Sequence, residues 1–351
     1  MKKRLGLLVS GIVLVSILLA VFVFYPLISL WTGNYKAYIK MYHVKEFSIP
    51  NGVTTIDSYA FNDCDSLTSV TIPEGVTSID SDAFFGCDSL TSVTIPESVT
   101  SIRDWAFSDC YSLTSITIPD SVTTIGENAF YNCSNLSSVT CSTIALSYIP
   151  KTNLETVIIT SGNMIDSYAF YGCKSLTNIT IPESVTSIGE RAFCWCDSLT
   201  SITIPEGVTS IGDYTFSGCY SLTSITMPES VTSIGYEAFY QCHSLTSITI
   251  PDGVTSIGNS AFASCDSLTS ITIPESVTSI GEYAFFSCDS LTSVTIPEGV
   301  TSIGEGAFFG CNSLTSIKYR GTSSQWDKIT KGTHWNYDTG SYTITYNYTE
   351  E

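Results

Sequence analysis

A unit of 23 residues recurs along most of the chain, and this periodicity limits the possible folds more than any other feature. Phenylalanine returns every 23 residues from Phe61 to Phe130, and again from Phe170 to Phe308. A cysteine follows each of these phenylalanines after three residues, and a leucine follows each cysteine after three more. One unit of this size is too short to bury its own apolar side. The units are therefore predicted to stack on one another as the coils of a repeat solenoid.

Each unit is predicted to contain a β-strand followed by a curved segment. The stretch Leu67–Ile72 alternates apolar with hydroxyl residues near its end, and its threonine, valine and isoleucine favour a strand. Pro73 has no N–H to donate to a neighbouring strand and is expected to end it. From Val76 to Cys87 the apolar residues follow at three- and four-residue steps, which suits a short helical or irregular arc. A glycine often follows the isoleucine of this segment, where we expect a bend with positive φ. Such glycines are Gly189, Gly212, Gly235 and Gly258.

The repeat is interrupted once, near residues 137–153. The step between equivalent leucines falls to 18 residues before Leu154 and to 22 before Leu176. The intervening segment begins like a strand but lacks the Ala-Phe-x-x-Cys element of the other units. Because Leu154, Val157 and Ile159 keep the apolar spacing, this segment is predicted to be one shortened coil that stays in the stack. A hinge between two subdomains is the alternative.

The repeat signature reads Leu-Thr-Ser-Ile-Thr-Ile-Pro-x-x-Val-Thr-Ser-Ile-Gly-x-x-Ala-Phe-x-x-Cys, and it resembles the BspA-like subclass of leucine-rich repeats. The match covers about residues 44–319, although proline and an acidic residue replace the regular asparagine that commoner leucine-rich repeats carry after the strand. The resemblance implies a curved right-handed solenoid of the α/β leucine-rich-repeat type. It also implies a parallel β-sheet on the concave side and short helical or irregular arcs on the convex side. Members of this family occur on the surfaces of bacteria and some parasitic protists, and known relatives act in adhesion.

Residues 1–31 are predicted to be a membrane anchor. Three cations, Lys2, Lys3 and Arg4, precede an apolar run without charges from Leu5 to Phe24. A helix of about 20 residues spans a bilayer core of about 30 Å. Flanking cations favour the cytoplasmic side of a membrane. We therefore expect a single-pass membrane protein with a cytoplasmic N-terminus and extracellular repeats. Removal of the segment as a signal peptide is the alternative.

Both ends of the repeat region are predicted to be protected, because a solenoid must cover its first and last coils. Residues 32–43 form a predicted stalk, and an incomplete unit starts the stack at Val44. Residues 320–351 contain Trp326, Trp335 and an alternating stretch of serine, tyrosine, threonine and isoleucine. They are predicted to form a C-terminal cap, with a separate binding module as the alternative.

Charge and composition argue against several classes of function. The chain contains 33 acidic and 14 basic residues, and its net charge of −19 argues against binding to nucleic acid. Most of the 13 cysteines lie in repeat register, where parallel side-chain directions disfavour disulfides and favour burial as small apolar groups. The three histidines belong to no motif with a nucleophile or a ligand pair, and the sequence has no phosphate-binding loop. No enzymatic activity, cofactor or metal site is therefore expected.

Comparison of the units with one another identifies candidate binding residues. The strand segments repeat an almost constant Thr-Ser-x-Thr lattice, whereas aromatic residues vary from unit to unit beside the Ala-Phe-x-x-Cys element. Aromatic residues are enriched at binding surfaces. The candidates for partner binding are Trp105, Tyr131, Tyr171, Tyr240 and Phe286. Stacking of these rings on the next coil is the alternative.

The sequence thus favours a cell-surface interaction or adhesion protein. Its solenoid would be presented to a protein or glycan on a host or neighbouring cell, and its N-terminal helix would lie in the membrane. A structural envelope or spacer protein without a specific ligand is the alternative.

Overall fold

The structure is a computed structural model, and it describes residues 35–349. These residues belong to two compact units. The first runs to Leu136 and includes Tyr148–Pro150, and the second comprises Ser137–Ser147 and continues from Lys151. The boundary between the units lies in the segment predicted to be a shortened coil. The strands are numbered β1 to β25 in chain order.

The first unit consists of stacked coils that each contribute two short strands to two parallel sheets. It begins with helix α1 (Tyr35–Tyr42). The three-residue strands of one sheet, in spatial order, are β1 (Glu46–Ser48), β3 (Ser69–Thr71), β5 (Ser92–Thr94) and β7 (Ser115–Thr117). The two-residue strands of the other are β2 (Thr55–Ile56), β4 (Ser78–Ile79), β6 (Ser101–Ile102) and β8 (Thr124–Ile125). Each residue pairs with the residue 23 positions further along the chain, as Val70 does with Val93.

The second unit continues the same construction in several parallel sheets. The first contains β9 (Ser138–Cys141), β10 (Thr156–Ile159) and β12 (Asn178–Thr180). Two further pairs are β11 (Met164–Ile165) with β13 (Ser187–Ile188), and β14 (Ser201–Thr203) with β16 (Ser224–Thr226). One long sheet contains β15 (Ser210–Ile211), β17 (Ser233–Ile234), β18 (Ser256–Ile257), β20 (Ser279–Ile280), β22 (Ser302–Ile303) and β24 (Thr330–Lys331). Another contains β19 (Ser270–Thr272), β21 (Ser293–Ile296), β23 (Ser316–Tyr319) and β25 (Thr343–Thr345).

Two short helices complete the described elements. The 3-10 helix η1 (Thr143–Tyr148) occupies the shortened coil, between β9 and β10. Helix α2 (Ser323–Trp326) follows β23, and the side chain and backbone of Thr322 exchange hydrogen bonds with Gln325 at its start. The strand prediction is confirmed: Leu67, Val70 and Ile72 are buried, and β3 ends just before Ile72 and Pro73.

A ladder of phenylalanine rings runs through the core of each unit. In the first unit it consists of Phe61, Phe84, Phe107 and Phe130, and in the second it extends from Phe170 to Phe308. Successive ring centroids lie 4.9–5.5 Å apart, with the planes within 1–11° of parallel. All of these rings are fully buried. The 23-residue step thus places an identical ring at each strand-to-strand spacing, and the coils bury a continuous core.

The cysteines form a second ladder that is held by hydrogen bonds rather than by disulfides. All 13 are buried thiols outside any disulfide. The Cys87 thiol donates to the carbonyl oxygen of Phe61 at 3.1 Å, and the same carbonyl accepts the backbone N–H of Cys64 at 3.1 Å. Eight further coils repeat the thiol contact at 3.1–3.3 Å. A small side chain with a weak S–H donor suits this slot because it satisfies a buried carbonyl of the preceding coil.

The arcs consist of turns. Each arc was predicted to be either helical or irregular, and the structure shows the irregular form. Each arc contains two residues with positive φ, four positions apart. The first are Tyr59, Asp82, Trp105, Asn128, Tyr168, Arg191, Tyr214, Glu237, Ser260, Tyr283 and Gly306. The second are Asp63, Gly86, Asp109, Asn132, Gly172, Trp195, Gly218, Gln241, Ser264, Ser287 and Gly310. In most arcs their backbone N–H groups donate to carbonyl oxygens of the next coil, as that of Asp109 does to Tyr131 O, 2.8 Å away.

The glycine that often follows the arc isoleucine was predicted to have positive φ, and this prediction is wrong. Gly189, Gly212, Gly235 and Gly258 do not have positive φ, and among them Gly212 alone would leave an added Cβ an ordinary contact distance, of 3.4 Å. A Cβ on Gly258 would lie 2.5 Å from the carbonyl oxygen of Gly235, and one on Gly189 would lie 2.3 Å from the nitrogen of Ser167. The other three glycines are therefore required by the close approach of consecutive backbones, and the left-handed residues come two positions later.

The ends of the described chain pack against the outermost coils. Within the predicted stalk, α1 buries Tyr35 and Ile39, and the Tyr35 ring stacks on Phe61 at 5.3 Å. At the other end, the backbone N–H of Phe308 donates to Trp335 O at 2.7 Å, and β25 pairs with β23. The proposed domain boundaries at residues 31, 43 and 319 stay predictions.

Within residues 35–349, no helix has the length and apolar character needed to cross a membrane. The predicted anchor at residues 1–31 lies outside the described residues.

Candidate partner-binding surface

The strand face uses many of its hydroxyl groups to join one coil to the next. The Thr91 hydroxyl donates to Thr68 O at 3.1 Å, and the Thr114 hydroxyl donates to Thr91 O at 3.2 Å. In the second unit, Thr223 donates to Thr200 O at 3.0 Å in the same way. These threonines are exposed, yet their donor hydrogens serve the solenoid itself. The remaining outward serines and threonines form a surface that is nearly the same in most coils.

The arcs of the first unit contain an exposed aromatic cluster, which we call the Trp105 patch and define as Trp105, Tyr111 and Tyr131. The side chains of these residues are 38%, 44% and 50% exposed, respectively. The rings of Trp105 and Tyr131 meet edge to face, with centroids 5.8 Å apart. Trp105 is one of the arc residues with positive φ. Large rings usually bury most of their surface, so three exposed rings together are a candidate binding surface.

Tyr111 was missed in the sequence analysis. It lies one position after the repeat cysteine, where several other units have an aspartate, as at Asp88. The replacement of a charged residue by an aromatic one at this position is the signal that identifies it.

Carboxylates border the Trp105 patch. One oxygen of Asp109 accepts a hydrogen bond from the Tyr111 hydroxyl at 3.1 Å and another from the Asn132 amide at 2.8 Å. The pKa of Asp88 is raised, first by partial burial and then by the negative charges of Asp65, Asp109 and Asp63. Hydrogen bonding to Asp109 and the charge of that carboxylate also raise the pKa of Tyr111. The patch therefore lies beside several negatively charged carboxylates.

In the second unit, a cation lies among aromatic rings that have the same position in their arcs as Trp105. The Arg191 guanidinium lies 4.1 Å from the ring centroid of Tyr214 and 5.6 Å from that of Tyr168. It donates to the Tyr168 hydroxyl at 2.7 Å and to the carboxylate of Glu190. The predicted residue Tyr171 contacts Tyr168, with centroids 5.7 Å apart, and is 48% exposed. Tyrosine rings at this position thus accommodate a guanidinium group in this protein.

The other two predicted residues are less accessible. Tyr240 and Phe286 are only partly exposed. The Phe286 ring packs against Tyr283 and Phe309, with centroids 6.0 and 5.5 Å away, and Phe309 packs in turn against Tyr337. This local ladder has the form of the alternative given above, in which rings stack on the next coil. The role of the five residues in binding stays a prediction.

Two cavities open in the second unit. The first has a volume of about 320 Å³ and is bordered by η1, Lys151 and residues 166–169. The Lys151 ammonium donates to Leu146 O and lies 5.4 Å from the Phe170 ring, and burial lowers its pKa. The second cavity, of about 560 Å³, lies on the strand face between residues 247–252 and the ion pair of Arg320 with Glu275. Residues 247–249 repeat the Ser-Ile-Thr sequence of β19 but form no strand.

Residues 35–349 include no group of three or more histidine, cysteine, aspartate or glutamate side chains placed to hold a metal ion. The side chain of His243 instead pairs with Asp266 at 2.8 Å and stacks on Tyr220.

Comparisons with known proteins agree with the stacked coils. The family model for the BspA type leucine rich repeat region (6 copies) matches residues 34–152, 142–267 and 232–345. A search of curated proteins found no match. A leucine-rich repeat protein from Bacteroides ovatus is 28% identical, with a TM-score of 0.55, over 89% of this chain and 85% of that chain.

Two further solved structures show similar sequences. A leucine rich cell surface protein from Faecalibacterium prausnitzii is 32% identical over 82% of this chain and 90% of that chain, with a TM-score of 0.39. A leucine-rich repeat protein from Eubacterium ventriosum is 26% identical over 77% of this chain and 89% of that chain, with a TM-score of 0.42. Since the family model covers nearly all of the described residues, the chain belongs to the family of BspA-type leucine-rich-repeat proteins.

Proposed function

We propose that this chain is a cell-surface interaction protein whose Trp105 patch binds a protein partner. The observation that carries the proposal is the exposure of three aromatic rings of the first unit: Trp105 and Tyr131, which are in contact, and Tyr111, which donates to Asp109. Tryptophan and tyrosine are the residues most often responsible for binding energy at protein interfaces. A protein partner is irregular, and the patch is the kind of irregular feature that such a partner requires.

The strand face supports a different kind of ligand. Its outward serines and threonines recur in most coils, as in β3, β5 and β7, so a repetitive ligand such as a glycan could contact many equivalent positions weakly. The ladder threonines already donate their hydroxyl hydrogens to the preceding coil. The arcs therefore offer the more specific surface, and the strand face is the second candidate.

The proposal includes an N-terminal anchor and extracellular repeats, and it assigns no catalytic role. Lys2 to Arg4 and the following apolar run support the anchor. If it is correct, the full chain stays with the membrane after an alkaline wash, and protease added outside intact cells digests the repeats. Recovery of a mature chain from the medium that begins near residue 32 would contradict the anchor.

The binding test compares two variants of the full chain. The patch variant carries Trp105→Asn, Tyr111→Ser and Tyr131→Ser, which are residues that other coils already hold at these positions, as in Asn128, Ser134 and Ser108. The lattice variant carries Thr200→Lys and Thr203→Lys on the exposed strand face. Circular dichroism establishes that both variants fold.

The partner is first captured from surface proteins with the parent chain and is then titrated against each variant. Binding that is lost in the patch variant and kept in the lattice variant supports the proposal. Loss of binding only in the lattice variant would assign recognition to the strand face. Capture of no protein partner by the parent chain would favour a structural spacer.

A further inference from the structure

Several negatively charged carboxylates lie close together beside the Trp105 patch. Asp88 lies among Asp63, Asp65 and Asp109, and the repulsion among these carboxylates is what a nearby cation would relieve. Among the ion pairs of residues 35–349, none includes Asp88 or Asp109. The whole chain has a net charge of −19, so its long-range field also attracts cations.

The chain itself shows how such carboxylates are neutralised. Asp63 has the same arc position as Asp109, two coils earlier. Helix α1 places the ammonium groups of Lys36 and Lys40 at 3.7 and 3.8 Å from its carboxylate. A basic segment therefore already docks on this row of carboxylates at its first position. The equivalent position at Asp109 has only the neutral donors Tyr111 and Asn132.

The second unit contains a similar group of aromatic rings around a cation. In the second unit, the guanidinium of Arg191 lies between the rings of Tyr168 and Tyr214, with a carboxylate and a phenol as its hydrogen-bond acceptors. Trp105 has the arc position of those two tyrosines. The Trp105 patch combines the same elements, namely exposed rings, a phenol and a carboxylate, without a cation of its own in contact.

We propose that the Trp105 patch binds an arginine-bearing basic segment of the partner protein. The guanidinium would lie on the face of Trp105 or Tyr131, and its N–H groups would donate to the free oxygen of Asp109 and to Asp88. Arginine suits this surface better than lysine, because its planar group stacks on rings and donates in two directions at once. This inference rests on the proposed function and specifies the chemistry of the partner.

The test uses the full chain and three synthetic peptides. One peptide alternates arginine with glycine, a second replaces each arginine with citrulline, and a third replaces each arginine with lysine. Citrulline keeps the shape of arginine and removes its charge. Binding is followed by calorimetry at low and at physiological salt. We expect the affinity to follow the order arginine, lysine, citrulline, and the arginine peptide to bind the patch variant about tenfold more weakly than the parent.

A charge-matched pair of variants separates the patch from the general attraction of an acidic protein. Asp88→Asn with Asp109→Asn removes two charges beside the rings, and Asp252→Asn with Asp289→Asn removes two exposed charges in the second unit. The first pair should weaken arginine-peptide binding and reduce its salt dependence, whereas the second pair should change both much less. Equal effects of the two pairs, or equal affinity of the arginine and citrulline peptides, would overturn the inference.

The captured partner distinguishes this inference from the proposed function. If the partner needs the patch but none of its arginines becomes protected from modification in the complex, the patch binds protein by another chemistry and the inference is wrong. If partner binding is insensitive to the patch, the proposed function itself fails. Protection of arginine residues that is lost with the patch variant supports both.

Discussion

Replacement of one ring in the phenylalanine ladder tests the energetics of the stack. Phe262 is fully buried, and its ring lies 5.2 Å from Phe239 and 5.4 Å from Phe285. Truncation of a buried phenylalanine to alanine costs about 3–5 kcal/mol. Each aromatic pair contributes about 0.5–1.5 kcal/mol, so the two pairs account for about 1–3 kcal/mol of that cost. Phe262→Ala is therefore expected to lower the free energy of unfolding by about 3–5 kcal/mol.

Two control variants separate stacking from burial. Phe262→Leu keeps most of the apolar volume and removes both ring pairs, so its cost should be about 1–3 kcal/mol. Tyr171→Ala removes a ring that is 48% exposed and its single pair with Tyr168, so its cost should stay below about 1.5 kcal/mol. Urea unfolding is followed by circular dichroism and fitted to a nearest-neighbour description of the repeats. A cost below about 1.5 kcal/mol for Phe262→Ala, or equal costs for alanine and leucine, would refute the reasoning.

Three further predictions follow from the packing. Burial raises the pKa of the Cys64 thiol to about 12. An alkylating reagent at neutral pH should therefore label the native chain poorly, and it should label all 13 thiols after denaturation. Disulfide-linked peptides in the unreduced chain would contradict this prediction. Gly258→Ala should lower the free energy of unfolding by about 1–3 kcal/mol, because the added Cβ would lie 2.5 Å from Gly235 O. Gly212→Ala, whose added Cβ has its nearest contact at 3.4 Å, should lower it by less than about 1 kcal/mol. Equal unfolding midpoints of the two variants in urea would refute the close-approach argument. Burial lowers the pKa of Lys151 in the folded chain, so between that value and its ordinary value the unfolded chain binds more protons and stability should rise with pH. Lys151→Met should raise stability at neutral pH and remove this rise, and an unchanged pH dependence of the urea midpoint would show that Lys151 is not its source.

The sequence was sufficient to predict the features that depend on the period of the repeat. The buried positions of Leu67, Val70 and Ile72 follow from alternation, and the strand end follows from the missing N–H of Pro73. The burial of the phenylalanines and cysteines follows from their constant spacing, because every coil must place the same residues against its neighbours.

Features that depend on the distance between coils were not predictable in the same way. The sequence analysis explained the arc glycines by positive φ, but Gly258 lies beside a neighbouring backbone, and Ser260, two positions later, has φ of 55°. Left-handed backbone at a residue as large as Trp105 is unfavourable on its own and is imposed by hydrogen bonds to the next coil. Such constraints arise only after the coils are stacked.

The candidate binding surface also combines features that the sequence predicts with features that arise only when the coils stack. Variation among the coils identified Trp105 and Tyr131 from sequence, and the structure places their rings in contact. The Arg191 guanidinium between Tyr168 and Tyr214 could not be inferred, because residues 23 positions apart become neighbours only through the register of the stack. Phe286 satisfies the same sequence pattern as Tyr131, yet its ring packs against Tyr283 and Phe309.

Radical footprinting of the full chain with its captured partner is the most direct test of the central claim that the arcs of the first unit bind a protein. Hydroxyl radicals oxidise exposed aromatic side chains, and mass spectrometry reports the rate at each residue. We expect the partner to slow oxidation of Trp105, Tyr111 and Tyr131, while Tyr337 of the second unit, which is 58% exposed, serves as the internal reference. Unchanged oxidation of the three patch residues in a saturated complex would contradict the account.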